Sequence, residues 1–132
     1  MQAKLLYSIT ETEPDGFYFG KFKSMDPITM MGTYDEPICL IHRMELERAK
    51  SEGRFAKVFE LVEYREKGIE RYGVSSLAGA IAVVAEEMGY DGFEVPRDFS
   101  AGLYKELINL GLKVEIADGE IFPQREIKNS EE

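Results

Sequence analysis

Ser75-Ser76-Leu77-Ala78-Gly79-Ala80-Ile81-Ala82-Val83-Val84-Ala85-Glu86-Glu87-Met88-Gly89-Tyr90-Asp91-Gly92-Phe93-Glu94-Val95-Pro96 is the stretch that decides the fold. Leu77, Ile81, Val84, Ala85 and Met88 fall on one helical face, which must turn toward a core. Ser75 or Ser76 supplies the N-cap and Gly89 the stop. Phe93-Glu94-Val95 then reads as a strand closed by Pro96. The pattern repeats downstream. Asp98 or Ser100 caps a helix with Leu103, Leu107 and Leu110 inward, Gly111 ends it, and Val114-Glu115-Ile116 is the last strand. Upstream, Glu45 to Glu52 is a short helix with Gly53 as its C′ residue, followed by a strand over Val58-Phe59-Glu60-Leu61-Val62. Helices alternating with strands imply crossover connections and parallel pairing.

The N-terminal third reads differently. Lys4 to Ile9 is a strand, and Glu11 to Gly16 a loop with Pro14-Asp15-Gly16 as its turn. Phe17-Tyr18-Phe19-Gly20-Lys21-Phe22 reads as a short strand or a packed turn, and Asp26-Pro27 as a break. Ile28-Thr29-Met30-Met31 and Ile38-Cys39-Leu40-Ile41 flank a loop somewhat longer than a tight turn and form a β-hairpin. The expected fold is α/β, with a mixed sheet of about six strands: a β-hairpin followed by three βα crossovers. At the other end, Asn129 and Glu132 have the spacing of a capping box. The expectation is that a further helix follows and that the 132 residues are the front part of a longer polypeptide.

Composition narrows the class. A chain of 132 residues that is 44% hydrophobic and 31% charged fits one soluble globular domain. No apolar run is long enough for a membrane span, and no start resembles a signal peptide. Cys39 is the sole cysteine, in an apolar run, and reads as a core thiol with no internal disulfide to make. Cytoplasm is the default compartment. The net charge of −9, with acids and bases interspersed, argues against a nucleic-acid partner.

The residues offer little catalytic chemistry. His42, the single histidine, has no second histidine or cysteine partner and reads as structural or exposed. Paired-histidine zinc motifs, Cys-x-x-Cys, the dinucleotide fingerprint and the phosphate loop are all missing. Gly16 to Lys21 has the wrong spacing for a phosphate loop, and its aromatics would block backbone approach. Glu86 and Glu87 diverge by roughly 100° around a helix and cannot share one substrate. A ribonuclease H-type metal centre needs inward acids on central strands, and Lys4 to Ile9 has none.

Several segments together resemble a known family. They are Asp91-Gly92-Phe93-Glu94-Val95-Pro96-Arg97-Asp98-Phe99, Val114-Glu115-Ile116-Ala117-Asp118-Gly119 and the tail Arg125-Glu126-Ile127-Lys128. Their order resembles the N-terminal domain of the creatinase, prolidase and aminopeptidase P family, the Xaa-Pro peptidases with a pita-bread metallopeptidase domain. The tail looks like the family's Arg-x-Ile-Lys-[Ser/Thr/Asn]-x-x-Glu linker. Tyr18-Phe19-Gly20-Lys21-Phe22 is similar to its Tyr-[Leu/Phe]-Thr-Gly-Phe segment, from which Gly20 and Lys21 depart. Asp26-Pro27 before a hairpin, and Glu45-Leu46-Glu47-Arg48-Ala49, fit its archaeal and bacterial Xaa-Pro branch.

The resemblance implies a ribonuclease H-like creatinase/prolidase N-terminal domain over residues 1–123, with 124–132 opening a linker to a C-terminal catalytic domain. It implies no catalytic or metal-binding residue in this chain. Two divalent metal ions (Mn, Co or Zn) and the peptide substrate would belong to the catalytic domain. It also implies a homodimer in which this domain covers the neighbour's active site. By position, Phe17 matches a site-facing aromatic of some members, although Gly16 departs from the bulky residue usual before it. Taken alone, Phe17 reads more readily as core packing. Three functional readings stand at this point. One is the N-terminal domain of an Xaa-Pro aminopeptidase or dipeptidase. Another is an independent binding module of the same fold. The third is an unrelated small enzyme using His42, which the absence of a paired motif disfavours.

Overall fold

A computed structural model describes residues 2–123, so the capping box and linker read in residues 124–132 lie outside the described part. Six strands form one mixed sheet in the order β4-β3-β2-β1-β5-β6. β1 (Gln2–Ser8) pairs antiparallel with β2 (Ile28–Gly32), and β2 antiparallel with β3 (Pro37–Ile41). β4 (Lys57–Glu60) lies parallel to β3, β5 (Gly92–Val95) parallel to β1, and β6 (Lys113–Ile116) parallel to β5. The hairpin and three crossovers expected from the sequence are all present. The second crossover is built from two helices, α3 (Leu61–Tyr72) and α4 (Leu77–Met88).

Both faces of the sheet are covered. Alternation along the strands sends Leu5, Met31, Ile38 and Leu40 to one face and Leu6, Met30, Cys39 and Ile41 to the other. That is why β2 and β3 are buried at every position and read as unbroken apolar runs. The first face carries α3, α4 and α5 (Ala101–Asn109), and Ile81, Val84 and Leu107 pack there on Phe93 and Val95. α4 is buried from Ala78 through Ala85, on all sides, because α3 packs across it. The second face carries α1 (Pro14–Gly20), α2 (Leu46–Glu52) and the chain from Ala117 to Phe122. Ile121 and Phe122 are almost fully buried there.

Three local expectations are corrected. Pro14-Asp15-Gly16 is the first turn of a helix and not a loop turn, and Phe17 to Gly20 continues that helix instead of forming a strand. Pro at the first helical position costs nothing, because its missing N–H would have no intrahelical partner. The fourth strand stops at Glu60, whose side chain accepts hydrogen bonds from Val62 N–H and Glu63 N–H and starts α3. Leu61 and Val62 are therefore helical, and α3 is a helix beyond those expected from the sequence. Gly53 ends α2 with extended backbone (φ −86°, ψ 168°), so its place is a matter of space: a Cβ there would sit 2.6 Å from the Phe55 ring.

Candidate functional site

β1, β3, β4, β5 and β6 all run in one direction, so their carboxyl ends share one edge of the sheet. Neighbouring parallel strands there send their connections to opposite faces at two places. From β3 the chain passes to α2 on one face, and from β4 to α3 on the other; from β1 it passes to α1, and from β5 to α5. Such switch points leave crevices at the carboxyl edge of an α/β sheet. Hollows of about 310 Å³ and about 160 Å³ lie at the two places.

The larger hollow is bordered by Tyr7, Ile28, Ile41, His42, Arg65 and Leu77. His42 is exposed and acts as a cap: its Nδ1 accepts the Met44 N–H at 3.2 Å at the start of a 3-10 turn over Arg43–Glu45. Among the described residues no carboxylate is hydrogen-bonded to His42, so it lacks the orienting acid a general base needs. Arg48 is fixed on the rim. Its Nε donates to Glu45 Oε2 at 2.7 Å, Nη2 donates to the Lys23 carbonyl at 3.1 Å, and its guanidinium stacks 4.3 Å from the Phe22 ring centre. The hydrogen bond to Glu45 holds the Arg48 pKa above its ordinary value.

The smaller hollow sits between the end of β1 and Pro96-to-Phe99. Glu13 turns back on β1, accepting the Ile9 N–H at 2.5 Å and the Ser8 hydroxyl at 3.4 Å. Thr10 Oγ1 accepts the Ser24 N–H at 2.7 Å and ties the two ends of the α1 segment together. Gly16 is required by contact: a Cβ there would lie 2.2 Å from Ser8 Oγ.

Phe17 lies on α1 and is among the bordering residues of neither hollow. Phe19 and Gly20 of that helix are buried in the core, whereas Phe17 and Tyr18 are half-buried. Tyr18 stacks on Tyr34 at 4.8 Å. Phe17 belongs to neither core cluster; Lys21 Nζ lies 5.3 Å and Lys23 Nζ 5.7 Å from its ring centre. Lys21 reaches that position because it ends the helix in the left-handed region (φ 52°), with its N–H on the Phe17 carbonyl at 2.7 Å. Arg54 secures the helix. Its Nη1 donates to the Phe19 carbonyl at 2.6 Å, its Nη2 to the Tyr34 carbonyl, and its guanidinium lies 4.1 Å from the Tyr34 ring centre. Nothing in the sequence distinguishes Arg54 from other surface arginines; only the fold brings it to these carbonyls. Cys39 is fully buried, and burial pushes its thiol pKa up, away from any nucleophilic role. Among the described residues, no group of three His, Cys, Asp or Glu side chains is placed to hold a metal ion.

No protein-family model matches the chain, and no curated protein matches it in sequence. Solved structures do match. The X-Pro aminopeptidase from Thermotoga maritima superposes with a TM-score of 0.66 at 13% identity, over 98% of this chain and 33% of that one. An aminopeptidase P from Streptococcus thermophilus gives 0.60 at 13% identity, over 96% of this chain and 84% of that one. The prolidase from Pyrococcus furiosus gives 0.54 at 12% identity, over 86% of this chain and 27% of that one. This chain has the creatinase/prolidase N-terminal domain fold. It spans about a third of the length of the Thermotoga protein. The carboxyl edge of the sheet carries His42 and Arg48 at one hollow and Glu13 at the other. No described helix is long and apolar enough to cross a membrane.

Proposed function

We propose that this chain is the non-catalytic N-terminal domain of a metal-dependent Xaa-Pro aminopeptidase or dipeptidase, contributing to dimerisation and substrate access in the cytoplasm. The observation that carries the reading is the fold match to the Thermotoga X-Pro aminopeptidase over 98% of this chain and 33% of that one. Two divalent metal ions (Mn, Co or Zn) and the hydrolytic step would belong to a C-terminal catalytic domain. The residues described here assemble no fitting ligand set, so no step of hydrolysis is assigned to them. Phe17 is the proposed substrate-access residue. Its ring is half-exposed on α1 and flanked by Lys21 and Lys23, so it can meet a peptide bound in a partner subunit without unfolding the core.

A second reading, a stand-alone binding module of the same fold, draws on the domain-sized Streptococcus thermophilus chain, 84% of which matches. Hydrolysis of an X–Pro dipeptide separates the two. The purified chain should be inactive with Mn²⁺, Co²⁺ or Zn²⁺, and the same chain joined to its C-terminal catalytic domain should be active. Hydrolysis by the purified 132-residue chain that survives a contaminant control overturns the assignment of roles.

A further inference from the structure

β6 is the last strand of the sheet, and its outer edge has no strand partner among the described residues. The Ala117 N–H donates to the Val95 carbonyl at 2.9 Å. By the alternation of a strand, Lys113, Glu115 and Ala117 turn their backbone groups toward β5, and Leu112, Val114 and Ile116 turn theirs outward. The side chains divide as well. Val114 is buried under α5, while Lys113 and Glu115 are exposed on the opposite face and form no ion pair among the described residues. Ile116 is 55% exposed and Ile108 of α5 is 42% exposed, unusual values for isoleucine. Glu106, Asn109 and Leu110 border a hollow with the start of α4, which leaves Ile108 on the other side of α5, above the β6 edge.

We propose that this edge pairs antiparallel with β6 of a second copy of this chain, about a two-fold axis at Val114. An antiparallel pair needs outward backbone groups opposite outward backbone groups, which limits the register to steps of two. Shifted one such step toward the N-terminus, Lys113 would face its own copy; shifted toward the C-terminus, Glu115 would. Like charges directly opposite are destabilising. Centred on Val114, each Lys113 faces the Glu115 of the other copy, at the non-hydrogen-bonded pairs where side chains approach most closely. Leu112 then faces Ile116, and the two α5 helices come side by side with Ile108 between them. The two copies thus share one continuous sheet, its charged pairs on the open face and its apolar pairs under the helices. The interface uses only this chain's own edge and stands whether or not a catalytic domain follows.

Sedimentation of the whole chain across the micromolar range tests it. The natural sequence should associate to a dimer. Lys113→Glu alone and Glu115→Lys alone should each weaken association by about tenfold or more, because two-fold symmetry applies each change twice. The double exchange should restore it. Both side chains are exposed, so at concentrations below the association range the melting transition of each variant should match that of the natural sequence. A chain that stays monomeric, or a dimer indifferent to both single changes, overturns the proposal. So does a double exchange that fails to restore association. None of these results bears on the hydrolysis assay, which tests the peptidase reading separately.

Discussion

Gly68 of α3 lies directly on Gly79 of α4: a Cβ at Gly68 would stand 2.9 Å from the Gly79 carbonyl carbon and 3.2 Å from Ala80 N. The two helices therefore cross backbone on backbone. This crossing lets a largely polar helix cover the outer side of α4, with Tyr64 and Gly68 as the buried residues of α3. Gly68→Ala should lower stability by about 1–3 kcal/mol, since the clash is with backbone and cannot be relieved by a rotamer. Gly73, with φ +73° and nothing within 4 Å of a Cβ, is the control. Gly73→Asn should cost about 1 kcal/mol or less, because Asn tolerates the left-handed region. Chemical denaturation of both variants checks the order.

Ile81 is fully buried between α4 and the sheet. Ile81→Asp should cost about 4 kcal/mol or more, through an unpaired carboxylate placed in an apolar core. Ile69→Asp, at a position 52% exposed on α3, should change stability by less than about 1 kcal/mol. Equal melting temperatures for the two variants would contradict this packing.

Tyr64 donates its hydroxyl to Glu87 Oε1 at 2.8 Å while its ring packs on Phe59 at 5.1 Å. That hydrogen bond, aided by Lys67 and Arg71, holds the Glu87 pKa below its ordinary value of 4.5. A lowered carboxylate pKa adds stability that is complete above the unfolded value and is lost as pH falls through the folded one. Tyr64→Phe should raise the Glu87 pKa toward ordinary and cost about 1 kcal/mol at neutral pH. The difference between the two proteins should shrink at pH values below the folded pKa. Melting curves across the acid range, with an NMR titration of Glu87, read both effects.

Phe19 is fully buried against Phe122 at 5.2 Å, whereas Phe17 is half-buried beside two lysines. Phe19→Ala should cost about 3–5 kcal/mol. Phe17→Ala should cost less than about half of that. In an active protein that carries this domain, Phe17→Ala should change KM or substrate-length preference instead. A Phe17→Ala variant as unstable as Phe19→Ala, with unaltered kinetics, would make Phe17 a packing residue.

Cys39 should resist alkylation in the folded chain and react only on unfolding, since it is fully buried and its thiol is held protonated. Labelling rates with and without denaturant measure this directly.

The sequence by itself determined the elements whose apolar spacing is long and regular. α4, α5, the hairpin, and the strands β5 and β6 stand where the periodicity of Leu77–Met88, Leu103–Leu110 and the flanking apolar runs puts them. Each buries a wide apolar face, and that burial is written in the residues themselves. Tertiary structure decided the rest. α1 is seven residues long, begins with Pro14 and contains Gly16 and Gly20, a composition that cannot hold a helix alone. It forms because Gly16 fits against Ser8, Gly20 against Met30 and Phe55, and Arg54 binds the Phe19 carbonyl. α3 is harder to read: Leu61, Tyr64 and Tyr72 share its core face at helical spacing, but the middle of that face is Gly68, which breaks the apolar stripe, so the clearest local signals are the Glu63–Lys67 pair at 3.4 Å and the stop at Gly73. The strand Val58–Val62 ended early for a similar reason: the Glu60 carboxylate caps two N–H groups, an interaction that exists only once the chain has turned. The resemblance carried by short motifs pointed to the right fold, and Phe17 was named from position alone. Lys21 and Lys23 reach its ring because the chain is helical from Pro14 to Gly20 and turns left-handed at Lys21, a course set by the close packing of Gly16 and Gly20 on the rest of the fold, which spacing along a chain does not encode.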